Sequence, residues 1–215
     1  MAKIANPVWL ASYPRSGNTF LRTILFQCFG LRSASVYLRD LGGNKELEDF
    51  VGHIEHEQEN RILFPPNAIP LIKTHELDTY GNPAIYVIRD GRAASVSLWN
   101  FYNRNISLEE VIEGRHRFGT WANHVESWNP WERPNTLLLR YESMKTDLPQ
   151  ILEEISDFLQ CDIRSASIPD RNTIAGTDGR WVKGYRDWRS DITEELMMKF
   201  DRINGDVLRK AGYTN

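Results

Sequence analysis

"SYPRSGNTF" occupies residues 12–20 and follows directly on the apolar run Val8-Trp9-Leu10-Ala11. The run predicts a short buried strand. Behind the motif Phe20, Leu21, Ile24, Leu25 and Cys28 recur at helical spacing, ending near Gly30. Between strand and helix the chain turns through Pro14 and Gly17, with Arg15 in the loop. Such a turn presents backbone N–H groups that lack helical acceptors, and the helix dipole adds positive potential there. Gly17 permits close backbone approach, Ser16 and Thr19 offer hydroxyls, and Arg15 adds a two-pronged donor. The stretch reads as a seat for a phosphate or sulfate group. The GxxxxGK[ST] spacing of a Walker A loop is absent. Asn18 or Ser16 is expected to cap the helix.

Outward from this motif, Ile69-Pro70-Leu71-Ile72-Lys73 reads as a second strand ending in "KTH", and Ala84–Ile88 as a third, continuously apolar as parallel-sheet interiors are. The third breaks at "RDGR", and a helix is expected through Ser97 to Tyr102. A further helix is expected over about residues 107–128, and a strand over Thr136–Tyr141. Leu148, Ile151, Leu152, Ile155, Phe158 and Leu159 then mark another helix. A last helix, from about Thr193, carries Leu196, Met197, Phe200, Ile203 and Leu208 inward. Residues 31–66 read as short helices and loops over one face, closed by Pro65-Pro66. Strands alternating with helices define an α/β fold with a mostly parallel central sheet and helices on both faces. No repeat, low-complexity tract or linker divides the chain, so residues 1–215 are expected to form a single domain. In such sheets ligands bind at the carboxyl ends of the strands. Three loaded segments, "SYPRSGNT", "KTH" and "RDGRAASVS", all follow predicted strands there.

The composition is 41% hydrophobic and 26% charged, with a net charge of −3. That balance lacks the basic face of a nucleic-acid binder, so an anionic ligand must be held by locally gathered cations. No apolar run approaches the roughly 18 residues of a transmembrane segment. The first seven residues are too short and polar for a signal peptide. Cys28 and Cys161 make neither a disulfide framework nor a metal motif. A reducing, cytoplasmic setting is the simplest reading. "HIEHEQE" at residues 53–59 reads as a solvated helix face and not as a metal site.

"SYPRSGNTF" resembles the 5′-phosphosulfate-binding loop of the cytosolic-type sulfotransferases, whose usual form is close to TYPKSGTTW. "YVIRDGRAASVSLWNF" resembles that family's 3′-phosphate segment, in which an arginine precedes a serine by eight residues, here Arg89 and Ser97. "LIKTH" is similar to the segment bearing the family's catalytic histidine, and "LLLRYESMKTDLPQIL" to its adenine-side strand and helix. The similarity runs from about residue 8 to 213, with 31–66 unassigned.

The resemblance implies a P-loop-NTPase-like sulfotransferase fold and the donor 3′-phosphoadenosine 5′-phosphosulfate (PAPS). Its sulfuryl group would pass by in-line displacement to an acceptor hydroxyl, without a metal, leaving 3′-phosphoadenosine 5′-phosphate (PAP). A sulfuryl group carries one less negative charge than a phosphoryl group, so Arg15, Lys73 and backbone dipoles can replace a kinase's magnesium.

Within the resemblance His75 would be the general base, and Lys73 would place charge on the sulfuryl oxygens. Arg15 stands where the family more often has lysine and would act as a fixed hydrogen-bond fork. Ser16, Gly17, Asn18 and Thr19 would hold the 5′-phosphosulfate; Arg89 and Ser97 the 3′-phosphate. Phe20 and Tyr141 would flank the adenine. At the C-terminal end the family pattern resembles RKGxxGxW, where this chain reads "GRWVKGYRDWR". Lys183 and Gly184 fit; Val182 replaces the arginine, which Arg180 or Arg186 would supply. Segments 31–66 and 103–118 are expected to shape the acceptor pocket, with Ile62, Leu63, Phe64, Phe101 and Tyr102 hinting at an apolar wall. Small molecules, glycans, lipids and peptides all remain open as acceptors. The rival functions are a nucleotide kinase or phosphotransferase, which would need a Walker A lysine, and a silent nucleotide-binding protein.

Overall fold

The computed structural model describes residues 6–78, 81–168 and 187–213. Five parallel strands form one sheet: β1 (Val8–Ala11), β2 (Ser33–Ser35), β3 (Leu71–Thr74), β4 (Ala84–Ile88) and β5 (Thr136–Arg140), in the order β2-β3-β1-β4-β5. Eight α-helices accompany them among the described residues: α1 (Asn18–Phe29), α2 (Lys45–Val51), α3 (Gly91–Phe101), α4 (Leu108–Ile112), α5 (Trp121–Trp128), α6 (Tyr141–Thr146), α7 (Leu148–Leu159) and α8 (Glu194–Lys210).

Alternation along the strands builds a core on each face. Val8 and Leu10 of β1, with Ile85 and Val87 of β4, point to one side, where α1 and α7 pack. Trp9 and Ala11, with Tyr86 and Ile88, point to the other, against α3, α5 and α8. Leu21, Ile24, Leu25 and Cys28 of α1 have no exposed surface. Each such aliphatic side chain contributes about 1.5–3 kcal/mol of burial. That anchorage fixes the start of α1, and with it the loop that precedes it.

The expected α/β architecture is therefore present, with four local differences. Residues 31–66 contain an edge strand, β2, paired parallel to β3. Its three residues, Ser33, Ala34 and Ser35, are too short and polar to show a strand pattern. The helix expected over 107–128 is two, capped separately by Ser107 and Thr120. The strand expected to run to Tyr141 stops at Arg140, and Tyr141 opens α6. Residues 53–59 are not a helix face. His53 bridges to Ser33 and is buried, held by tertiary contacts that local pattern does not reveal.

Register places the loaded segments side by side. Ala11 lies beside Thr74 and Ile88 beside Arg140, so Ser12 meets His75 and Arg89 meets Tyr141 one residue beyond the strand ends. After β1 the chain turns to one face of the sheet through α1, and after β4 to the other through α3. Loops that diverge in this way leave the crevice in which open α/β sheets bind ligands.

Candidate active site

A cavity of about 930 Å³ opens at this crevice. Arg15, Gly17, Asn18, Thr19, Phe20, Lys73, His75, Arg89, Ser97 and Tyr141 all line it. Lys183 and Gly184, together with Arg180 and Arg186, lie outside the described residues.

The loop of residues 12–17 turns tightly. Arg15 has φ 67° and Gly17 φ 107°. A Cβ on Gly17 would come within 2.5 Å of the Tyr141 ring, so glycine there serves both the left-handed backbone and the packing of the ring. Gly17, and not Asn18 or Ser16, is the cap residue of α1, and no side chain caps the first turn. The Asn18 amide points back to the Leu10 carbonyl at 2.8 Å, tying the helix to β1. Ser16 is 1% exposed, and its hydroxyl has no hydrogen-bond partner among the described residues. An uncapped helix start beside a buried, unanswered hydroxyl fits an anion at this turn.

Cations surround that place. Arg15 donates from Nε to Ser97 Oγ at 3.3 Å, and its guanidinium lies 5.0 Å from the Phe101 ring centre. Burial, then the nearby Arg89 charge, lowers the Arg15 pKa to about 10, still charged at neutrality. Arg89 donates to the Arg15 carbonyl at 2.8 Å and stacks on Tyr141 at 4.6 Å, so it braces the loop as well as lining the cavity. The Phe20 and Tyr141 rings meet edge to face at 6.5 Å.

His75 is clamped at three points. Its Nδ1 lies 2.7 Å from the Ser12 carbonyl, an oxygen that can only accept, so Nδ1 carries the proton. Nε2 is left unprotonated, the tautomer a base needs. The His75 backbone N–H donates to Tyr37 Oη at 3.0 Å, and its carbonyl accepts from His124 Nε2 at 3.1 Å. His124 in turn accepts at Nδ1 from the Tyr86 hydroxyl at 2.8 Å. Tyr37 stacks on the His75 ring at 5.9 Å, and Phe118 meets its edge. Burial, then the Lys73 charge, pushes the His75 pKa well below the ordinary histidine value.

Lys73 is buried, and its Nζ bonds Asp40, which also holds Arg22. Asp40, Arg22, Tyr37 and His124 were not singled out from the sequence. Arg22 alone carried a signal: a cation among the apolar positions of α1, with no acidic residue three or four places away, requires a distant partner. Tyr37, Arg39, Phe101, Tyr102, Arg117 and Phe118 also line the cavity. Ile62, Leu63 and Phe64 do not; Leu63 is 54% exposed, because residues 61–64 run outside any sheet or helix, over the surface.

A parallel sheet whose strand ends bring a tight strand-to-helix turn, several cations and a neutral histidine to one crevice has the architecture of a nucleotide-dependent group-transfer enzyme. Residues 5–212 match the sulfotransferase domain, and the chain belongs to that family. It is thus a sulfotransferase. The chain is 22% identical over 250 aligned positions to cytosolic sulfotransferase 3 of Arabidopsis thaliana, covering 93% of this chain and 76% of the relative. It is 26% identical over 258 positions to human sulfotransferase 4A1, covering 100% and 86%. The mouse sulfotransferase SULT7A1 complexed with PAP superposes with a TM-score of 0.61 at 19% identity, over 96% of this chain and 86% of that one. Retinol dehydratase in complex with androsterone and inactive cofactor PAP gives 0.65 at 18%, over 97% and 82%. No described helix is long and apolar enough to cross a membrane.

Proposed function

We propose that this enzyme moves the sulfuryl group of PAPS to the hydroxyl of a small-molecule acceptor, in the cytoplasm, within a single domain. The observation that carries the reading is the His75 clamp: Nδ1 is committed to the Ser12 carbonyl, which leaves Nε2 unprotonated on a residue that lines the cavity. The residues present suit the donor. The α1 start and the Ser16 hydroxyl meet the 5′-phosphosulfate, with Gly17, Asn18 and Thr19 contributing backbone N–H groups. Arg89 and Ser97, both lining the cavity, would take the 3′-phosphate, and Phe20 and Tyr141 offer aromatic faces and edges to adenine.

In this reading His75 Nε2 takes the acceptor's hydroxyl proton as the acceptor oxygen bonds to sulfur. The bond from sulfur to the 5′-phosphate oxygen breaks, and its electron pair leaves on the phosphate, beside Arg15 and the α1 start. Lys73 stabilises charge on the sulfuryl oxygens in flight. The acceptor enters along Tyr37, Phe101, Tyr102 and Phe118, an aromatic wall suited to a flat or apolar molecule.

The test is transfer of sulfur-labelled sulfuryl from PAPS to a panel of phenols, alcohols, saccharides and peptides, with and without a magnesium chelator. Chelator-insensitive labelling of at least one acceptor is expected. Magnesium-dependent phosphoryl transfer from ATP instead would contradict it.

A further inference from the structure

Lys73 extends from β3 with its side chain 4% exposed. A buried ammonium persists only when paired and hydrogen-bonded. Its Nζ donates to Asp40 Oδ1 at 2.5 Å, and Asp40 Oδ2 accepts from Arg22 at 2.5 Å. Arg22 has no exposed surface. Its Nε donates to Ser33 Oγ at 2.8 Å, and a terminal nitrogen reaches the Ser33 carbonyl at 3.3 Å and His53 Nδ1 at 2.8 Å. Burial, then the Arg22 charge, lowers the His53 pKa to about 4, so His53 stays neutral and accepts.

Two cations share one carboxylate, so the Lys73–Asp40–Arg22 triad carries one net positive charge beside the cavity; the Glu48 carboxylate of α2 also faces Arg22 and is itself paired with Lys45 at 3.2 Å. Neither simpler arrangement supplies the triad's charge. A Lys73–Asp40 pair alone would be neutral and offer little to an incoming anion. Lys73 without Asp40 would be driven toward the neutral amine by burial, then by Arg22 and Arg15. Arg22 fixes the carboxylate and restores the charge that the carboxylate cancels.

We infer that Asp40, locked by Arg22, is a positioning residue that holds Lys73 as an oriented ammonium at the cavity floor. The inference rests on the reading that Lys73 faces the sulfuryl group. Among the described residues, the charged and titratable groups facing Lys73 include Asp40 from the turn at residues 40–43, Arg22 from α1, Arg15 from the anion loop, Tyr37 after β2 at 5.4 Å from its ring centre, and His75 beyond β3.

Asp40→Asn keeps the shape and removes the charge. It should lower kcat by about 30-fold or more while changing the Kd for PAP, which lacks the sulfuryl group, by less than about threefold. The alkaline limb of its pH–rate profile should move down by about one unit or more, and Asp40→Glu should recover part of the loss. Titration of the Lys73 Cε resonance in lysine-labelled protein gives a readout without turnover. In the unaltered protein Lys73 should remain a charged ammonium at neutral pH, with a midpoint below that of an ordinary lysine, and in Asp40→Asn the midpoint should fall further, by about one unit or more. An unaltered protein that transfers no sulfuryl would count against the functional reading alone, because the resonance still decides this one. If Asp40→Asn does not fold, the midpoint in the unaltered protein decides. A Lys73 already neutral at neutral pH in the unaltered protein, a midpoint unmoved by Asp40→Asn, or a kcat loss matched by equal loss of PAP binding would overturn the inference.

Discussion

In the proposed mechanism His75 carries the proton chemistry, and its environment sets the pH at which it would work. Burial and the Lys73 charge both oppose its protonation, so the folded pKa lies below the ordinary value of about 6.5. A depressed base stays neutral and competent as pH falls through 6.5. The kcat/KM for the donor should therefore hold level from pH 7.5 to about 6, where an unperturbed histidine would already lose most of its activity. A limb centred on pH 6.5 would show that the clamp does not shift the base. His75→Ala should lose kcat by about 10²-fold or more and still bind PAP, measured by pre-steady-state transfer and by calorimetry. Arg89→Ala should mainly weaken PAP binding, by about tenfold or more, since Arg89 both lines the cavity and braces the Arg15 carbonyl. Unchanged affinity would remove Arg89 from the donor site.

At the scale of elements, the turn into α1 does most of the arranging. Gly17→Ala would set a Cβ within 2.5 Å of Tyr141 at φ 107° and should cost about 1–3 kcal/mol. A denaturant melt would show that loss together with weaker PAP binding; an unaltered melt would mean the ring can move aside. This turn was legible because its chemistry is local. Pro14, Gly17 and the helical spacing from Phe20 to Cys28 all sit within one strand–turn–helix unit. The Ala84–Ile88 strand and the Gly30 end of α1 were legible for the same reason. What stayed hidden depends on distant pairing. The three-residue strand β2 exists because β3 offers it an edge. Asp40 gains its place because Arg22 and Lys73 converge on it from 18 and 33 residues away. His53 reads as a surface residue from sequence, but β2 brings Ser33 and α1 brings Arg22 beside it. The capping error has a local cause: a short polar side chain beside a glycine reads as a cap, but Asn18 turns back to Leu10.

Across the whole molecule, buried neutral histidines tie stability to pH. Burial lowers the pKa of His124 to about 3, and burial with Arg22 lowers that of His53 to about 4. In the unfolded chain both titrate near 6.5. Between pH 6.5 and 4 the unfolded state binds protons that the folded state refuses, so stability falls as pH drops through that window. Asp40, held below the usual carboxylate range despite burial by Lys73 and Arg22, adds a loss at still lower pH. Thermal melts should show Tm falling by about 5 °C or more from pH 7 to 4.5, and less in His53→Gln. A flat Tm over that range would contradict the buried-neutral assignment.

Among the described residues, strand ends, anion loop and cations meet at the crevice above the sheet, and the central claim is that this crevice holds a 3′-phosphorylated adenine nucleotide. Calorimetric titration with PAP in magnesium-free buffer, beside AMP and ATP, tests it most directly. The account predicts a Kd on the order of micromolar for PAP, at least tenfold weaker binding of AMP, and loss of that preference in Arg89→Ala. Equal affinity for the three nucleotides, preference for ATP, or no binding at all would contradict it.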